Sequence, residues 1–197
     1  MFSVLAQPYE VNPHRLQLSR VACSRLEEMG LLPPHYELIA GEILVKASQN
    51  RPHVLTLLEI VDCLTRLFGQ DYVQPQMPIE VFFQDREFNY PEPDLAVLKN
   101  PRKSYRSAAP DPTEVRLVIE VSDSTLRNDL TTKVQLYARA AIALYWVVDV
   151  VNRRVFVHSD LREGNYGSLT EYGENSFILV LDSKEKVAVS SLFPEEG

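Results

Sequence analysis

A chain of 197 residues, 45% hydrophobic and 24% charged, has the length and composition of one folded domain that buries a core without disulfides or a structural metal. Its longest apolar run, Ala140 to Val148, falls far short of the ~20 residues a membrane helix needs, and the start carries no signal-peptide pattern, so no membrane partner is expected. The net charge of −7 argues against a general DNA coat, whose affinity comes from many Lys and Arg neutralising phosphates.

The first residues, 1–17, read as an irregular arm. Leu18 to Met29 reads as a short helix, with Gly30 as its stop. Tyr36 to Lys46 reads as a hairpin turning at Ala40-Gly41. Pro52 to Phe68 is a predicted helix: proline suits its first turn, Gly69 its end, and Val54, Leu57, Leu58, Val61, Leu64, Leu67 and Phe68 form its stripe. Strands are expected over Tyr72–Phe83, bent at Pro75 and Pro78, and over Asp94–Leu98 and Val115–Val121. A helix over Asp129–Ala141 follows, then a buried strand over Leu144–Val148. Val155–His158, Tyr166–Tyr172 and Val187–Val189 are further strand candidates. The helix before Leu144 provides a crossover to a parallel neighbour. The pattern is an α/β sheet covered by helices, with an N-terminal hairpin and extra C-terminal strands. No repeat or linker divides it, so residues 1–197 are expected to form one domain with its core at about 36–150 and added strands over 151–193.

Charge is unevenly spread. Residues 160–197 carry eight acids and three bases, so the body of the chain is near neutral. One basic run, Lys99 to Arg106, has four bases and no acid; taken alone it reads as a solvated loop. Cys23 and Cys63 make no disulfide framework, so a reduced, cytoplasmic setting is expected. The four histidines lie far apart and show no zinc-site spacing.

Two acids sit where strands should be apolar. Asp94 opens a short strand and Glu120 lies near the end of another. Buried carboxylates are costly unless paired or bound to a cation. Two of them at the ends of adjacent strands suit one hard divalent ion, above all Mg²⁺, which takes a few carboxylates and keeps several waters. Singly, each acid is also compatible with a structural role. Asp129, Lys133 and Tyr137 follow at i, i+4, i+8 and share a helix face. Asp129 and Lys133 could be a simple helix pair. The alternative is an ammonium that positions an attacking water and offsets charge on a phosphoryl group.

Five segments in order carry a resemblance: Tyr36-Glu-Leu-Ile-Ala-Gly-Glu-Ile43, Pro91-Glu-Pro-Asp-Leu-Ala-Val97, Leu117-Val-Ile-Glu-Val-Ser-Asp-Ser-Thr125, Lys133-Val-Gln-Leu-Tyr-Ala138 and Ala143-Leu-Tyr-Trp-Val-Val-Asp149. Over about residues 18–193 the chain resembles an uncharacterised, mostly bacterial family of restriction endonucleases within the PD-(D/E)XK nuclease superfamily. The resemblance implies an α+β restriction-endonuclease-like core, a mixed central sheet flanked by helices. Pro93-Asp94 matches the PD element and Glu120 the acid of (D/E)XK. The lysine slot two residues on holds Ser122, and the family supplies its lysine from the next helix, at Lys133. The resemblance also points to an acid at Glu42 and a histidine at His53, whose role it leaves open.

The expected function is metal-dependent hydrolysis of DNA phosphodiester bonds. Asp94, Glu120 and the Val121 carbonyl would bind Mg²⁺ (or Mn²⁺), Lys133 would orient the water, Glu42 would assist, and the basic loop would touch backbone phosphates. Tyr137 is expected to pack beside Lys133. The rival reading is a degenerate nuclease fold that binds nucleic acid or protein, motivated by Ser122 and by the acidity. A two-carboxylate glycosidase ranks last, because Trp146 lies in an apolar strand and not in a sugar cleft. A symmetric homodimer is the expected assembly, since two strands of a duplex invite two sites.

Overall fold

The computed structural model describes residues 16–46, 49–180 and 185–195, so most of the expected N-terminal arm lies outside the described residues. Helix α1 (Arg20–Glu28) is capped by Ser19, whose side chain accepts from the Ala22 N–H. Strands β1 (Tyr36–Ile39) and β2 (Glu42–Val45) form the predicted hairpin. Both turn residues, Ala40 and Gly41, have positive φ, as a tight two-residue turn requires. A side chain at Gly41 would also collide with Gln17, 2.7 Å from the position of its Cβ.

Helix α2 (Arg51–Phe68) starts at its Asn50 cap and ends at Gly69. The central sheet has six strands in spatial order β3-β4-β5-β6-β7-β8, formed by Val73–Pro75, Leu95–Leu98, Val115–Ser122, Leu144–Asp149, Arg154–Arg162 and Asn165–Gly173. The sheet is mixed: β5 and β6 are parallel and every other neighbouring pair is antiparallel. The parallel pair is joined by α3 (Leu126–Asp129) and α4 (Thr132–Arg139), the predicted crossover. A small hairpin of β9 (Phe177–Leu179) and β10 (Lys186–Ala188) closes the chain.

Alternate residues of β4, β5 and β6 feed two cores. Leu95, Val97, Leu117, Ile119, Trp146 and Val148 pack against α2 and the β9–β10 hairpin. Ala96, Leu98, Val118, Tyr145 and Val147 pack against α4. The period of two thus assigns even positions of β4 and β5 to the α4 side.

Three expectations need correction. The strand expected over Tyr72–Phe83 is only β3, because Pro75 and Pro78 lack ladder donors and Gln76 turns to positive φ. The helix expected over Asp129–Ala141 is two pieces, α3 and α4, parted at Leu130 and Thr131. There the Asp129 carbonyl accepts from the Tyr145 hydroxyl (2.9 Å) and the Arg127 carbonyl from the Thr131 hydroxyl (2.7 Å). Strand β9 was not expected at all, since three residues around one buried side chain, Ile178, give almost no pattern.

Candidate active site

The register of β4 and β5 pairs Leu95 with Ile119 and Ala96 with Val118. Continued by one residue, it sets Asp94 opposite Glu120, on the face that α4 covers. Both acids are buried, at 6% and 3% exposure. The Val121 N–H donates to Asp94 Oδ2 (2.9 Å), which fixes that carboxylate at the end of the sheet.

Helix α4 delivers Lys133 and Tyr137 to the same face. Lys133 Nζ lies 2.9 Å from Glu120 Oε1, 2.8 Å from Glu37 Oε2 and 3.7 Å from Asp129 Oδ1. The Tyr137 hydroxyl donates to Glu120 Oε1 (2.8 Å). Glu37 is held in turn by the Glu92 N–H (2.8 Å), so β1 and the segment before β4 meet at this carboxylate. Asp129 accepts from the Ser122 (2.7 Å) and Thr125 (2.6 Å) hydroxyls. Ser122, in the vacated lysine slot, therefore orients an acid that faces the helix lysine.

Burial pushes the Glu120 carboxyl up to about 8; Lys133 opposes the shift, and Glu37, Asp94 and Asp129 add to it. Burial pulls the Lys133 ammonium down, but Glu120, Glu37 and Asp129 more than reverse that, and its pKa lies well above the ordinary value. The two directions agree: one ammonium among several carboxylates stays charged, and the excess of acids retains a proton. Burial also raises the Tyr137 phenol well above its ordinary value, and Glu120 and Glu37 raise it further, so Tyr137 stays a hydrogen-bond donor.

These groups form the floor of an open cleft of about 570 Å³. Its other wall comes from β2 and the start of α2. Lys46 Nζ donates to the Glu92 carbonyl (2.6 Å) and lies 3.3 Å from Glu92 Oε1 and 3.9 Å from Asp94 Oδ1. Asn50 caps α2 at the His53 N–H and donates to Asp123, which ties the helix start to the loop after β5. The cleft is lined by five carboxylates, Glu37, Asp94, Glu120, Asp123 and Asp129, against the ammoniums of Lys46 and Lys133.

That donor set fits a hard divalent cation. Hard oxygens and an excess of negative charge face open space, and His53 Nε2 is a buried atom without a hydrogen-bond partner at the same place. Among the described residues no group of three His, Cys, Asp or Glu side chains forms a ready-made cage. Water and substrate oxygens would therefore fill part of the shell, as Mg²⁺ usually requires.

Of the residues expected from sequence, Asp94, Glu120, Val121 and Lys133 all line this cleft. Glu42 does not. It pairs with Ile39 right after the turn, before β2 has reached the cleft. The hairpin acid at the site is Glu37, which sequence reasoning missed. Its signal was ambiguous: Glu37 shares a strand face with apolar Ile39, but Leu38 on the other face is apolar too, so the hairpin alone does not say which face is inward. The basic run is also displaced. Lys99 to Arg106 follows the Leu98 end of β4, the opposite end from Asp94, and lines no part of the cleft.

No curated protein matches this chain. A solved structure that does is described as a "putative nuclease belonging to DUF820 from Anabaena variabilis ATCC 29413". It superposes with a TM-score of 0.62 at 18% identity, over 85% of this chain and 96% of that one, a likeness of fold. Residues 26–190 match the Uma2 family, described as "Putative restriction endonuclease", and on that extent of match the chain belongs to this family.

Proposed function

We propose that the protein is a metal-dependent nuclease that hydrolyses DNA phosphodiester bonds. The observation that carries this reading is the acidic cleft in which Asp94, Glu120 and Lys133 meet. A cleft with five carboxylates and two ammoniums repels a bare phosphate and accepts one together with a cation. Asp94 and Glu120, with the Val121 carbonyl, would hold Mg²⁺ or Mn²⁺. When bound, such an ion polarises a phosphoryl oxygen and acidifies a water.

The remaining work belongs to the chain. The Val121 N–H keeps Asp94 aimed at the cleft. Glu37 and Glu120 take two of the three ammonium protons of Lys133, and the third is left for the attacking water or a phosphoryl oxygen. Glu37 is thus a positioning residue: it sets where the ammonium stands. Tyr137, donating to Glu120, holds that carboxylate in place. A buried cation of this kind lowers the barrier because it needs no reorganisation as charge develops.

The test is relaxation of supercoiled plasmid with Mg²⁺ or Mn²⁺. The parent nicks DNA, and Asp94→Asn or Glu120→Gln abolishes both nicking and metal affinity. A parent inactive on duplex, single-stranded and branched DNA overturns the assignment and leaves a binding module.

A further inference from the structure

His53 stands in the first turn of α2, beside the cleft. Its side chain is 12% exposed, and Nε2 is buried with no hydrogen-bond partner. Nε2 lies 3.9 Å from Asp94 Oδ1. That is too long for a hydrogen bond, which spans about 2.7–3.2 Å for nitrogen and oxygen. It is a spacing that one ion with bonds of about 2.1 Å to each atom can bridge.

We infer that His53 is a nitrogen ligand of the cation and that it tilts the site from Mg²⁺ toward Mn²⁺ or another imidazole-binding divalent ion. The inference deepens the nuclease reading and rests on it for the presence of a cation. Imidazole suits transition metals, whereas Mg²⁺ prefers oxygen donors and water.

Three features support an ion over a phosphate at this place. A carboxylate, that of Asp94, stands 3.9 Å from Nε2, and the cleft as a whole is acidic. Lys46, the cation that also approaches Asp94 Oδ1, is already engaged by the Glu92 carbonyl and carboxylate. The imidazole is carried on a helix whose start is anchored twice, at Asn50 Oδ1 and through Asn50 to Asp123, so its position is fixed before an ion arrives.

The experiment is pulsed electron paramagnetic resonance of Mn²⁺ bound to the whole protein, with calorimetric titration of Mn²⁺ and Mg²⁺. The parent should show modulation from a coordinated imidazole nitrogen. His53→Gln and His53→Ala should both lose it. Mn²⁺ affinity should fall by at least about tenfold, the size that loss of even an outer-shell partner produces. Mg²⁺ affinity should change far less, so the ratio of the two narrows. Unchanged thermal unfolding of either variant secures the comparison.

Nitrogen modulation that persists in both variants, or a parent bound through oxygen donors only, overturns the inference. So does a variant that keeps both metal affinities and loses DNA affinity, which makes His53 a phosphate contact. A parent that binds Mn²⁺ through His53 yet cuts no DNA leaves the ligand assignment standing and overturns the nuclease reading. A parent that binds neither ion overturns both.

Discussion

Glu120 on β5 and Asp149 on β6 are both almost wholly buried, at 3% and 1% exposure, near the same end of two parallel strands. Their carboxyls move in opposite directions. Burial raises both. At Asp149 the Asn152 N–H and side-chain amide and the Arg154 guanidinium outweigh it and hold the pKa below its ordinary value. At Glu120 one ammonium is shared among several carboxylates, and the pKa ends at about 8. Burial therefore does not decide what a carboxylate is for; the surrounding charge does. Asp149 is saturated with donors and pins the turn between β6 and β7. Glu120 is short of positive charge, which a cation arriving in the cleft would supply.

The largest test of that contrast removes the shared ammonium. Lys133→Ala should lower metal-dependent nicking by about 10²–10³, the usual worth of a preorganised electrostatic group. It should also cost about 3–5 kcal/mol in urea denaturation, because the carboxylates of Glu37 and Glu120 lose their counter-charge. The double variant Glu37→Gln/Lys133→Met should recover much of that stability and none of the rate. Recovery of both would make Lys133 a structural ion and nothing more.

The next test reads the stored proton. Metal binding needs the carboxylate deprotonated, so affinity for Mg²⁺ or Mn²⁺ should fall by up to about tenfold for each pH unit below about 8. Calorimetry near pH 7 in buffers of different ionisation heat should register proton release on binding. Glu120→Gln should release none. Glu37→Gln removes a negative neighbour of Glu120, so the same limb should move to lower pH.

Stability should follow the two signs. Glu120 is raised, so the native state binds more protons than the unfolded chain from about its ordinary value of 4.5 up to about 8, and its contribution is lost as pH rises through that window. Asp149 is lowered from 3.8, so its contribution is present above that value and lost as pH falls through the depressed native one. Urea midpoints against pH should flatten between about 4.5 and about 8 for Glu120→Gln and below 3.8 for Asp149→Asn. The smallest effect belongs to Arg154→Ala. Arg154 is a third exposed and also touches exposed Glu171, so its loss should cost at most about 1 kcal/mol and leave nicking unchanged.

The acids at the heart of this contrast were readable because they interrupt apolar strands. Asp94 and Glu120 break the pattern of β4 and β5, and no packing argument excuses them. Lys133 was weaker: helical spacing placed it with Asp129 and Tyr137 and left a simple helix pair open beside a site role, and the family resemblance favoured the site role. The break between α3 and α4 left no mark, because Tyr145, distant in sequence, takes the Asp129 carbonyl. Glu37 was hidden beside Glu42, since a hairpin's inward face depends on where the rest of the molecule lies. The place of the basic run was unreadable for the same reason: composition reports charge but not which end of a strand carries it.

The bond between Glu37 and Lys133 spans 96 positions of the chain. During synthesis Glu37 and Glu120 both leave the ribosome before Lys133, the lysine they share. Closing so long a loop is slow, and it gains little until the ammonium is present to reward it. The cleft therefore closes only once α4 has been made, and a chain cut short before α4 lacks the ammonium that Glu37 and Glu120 share.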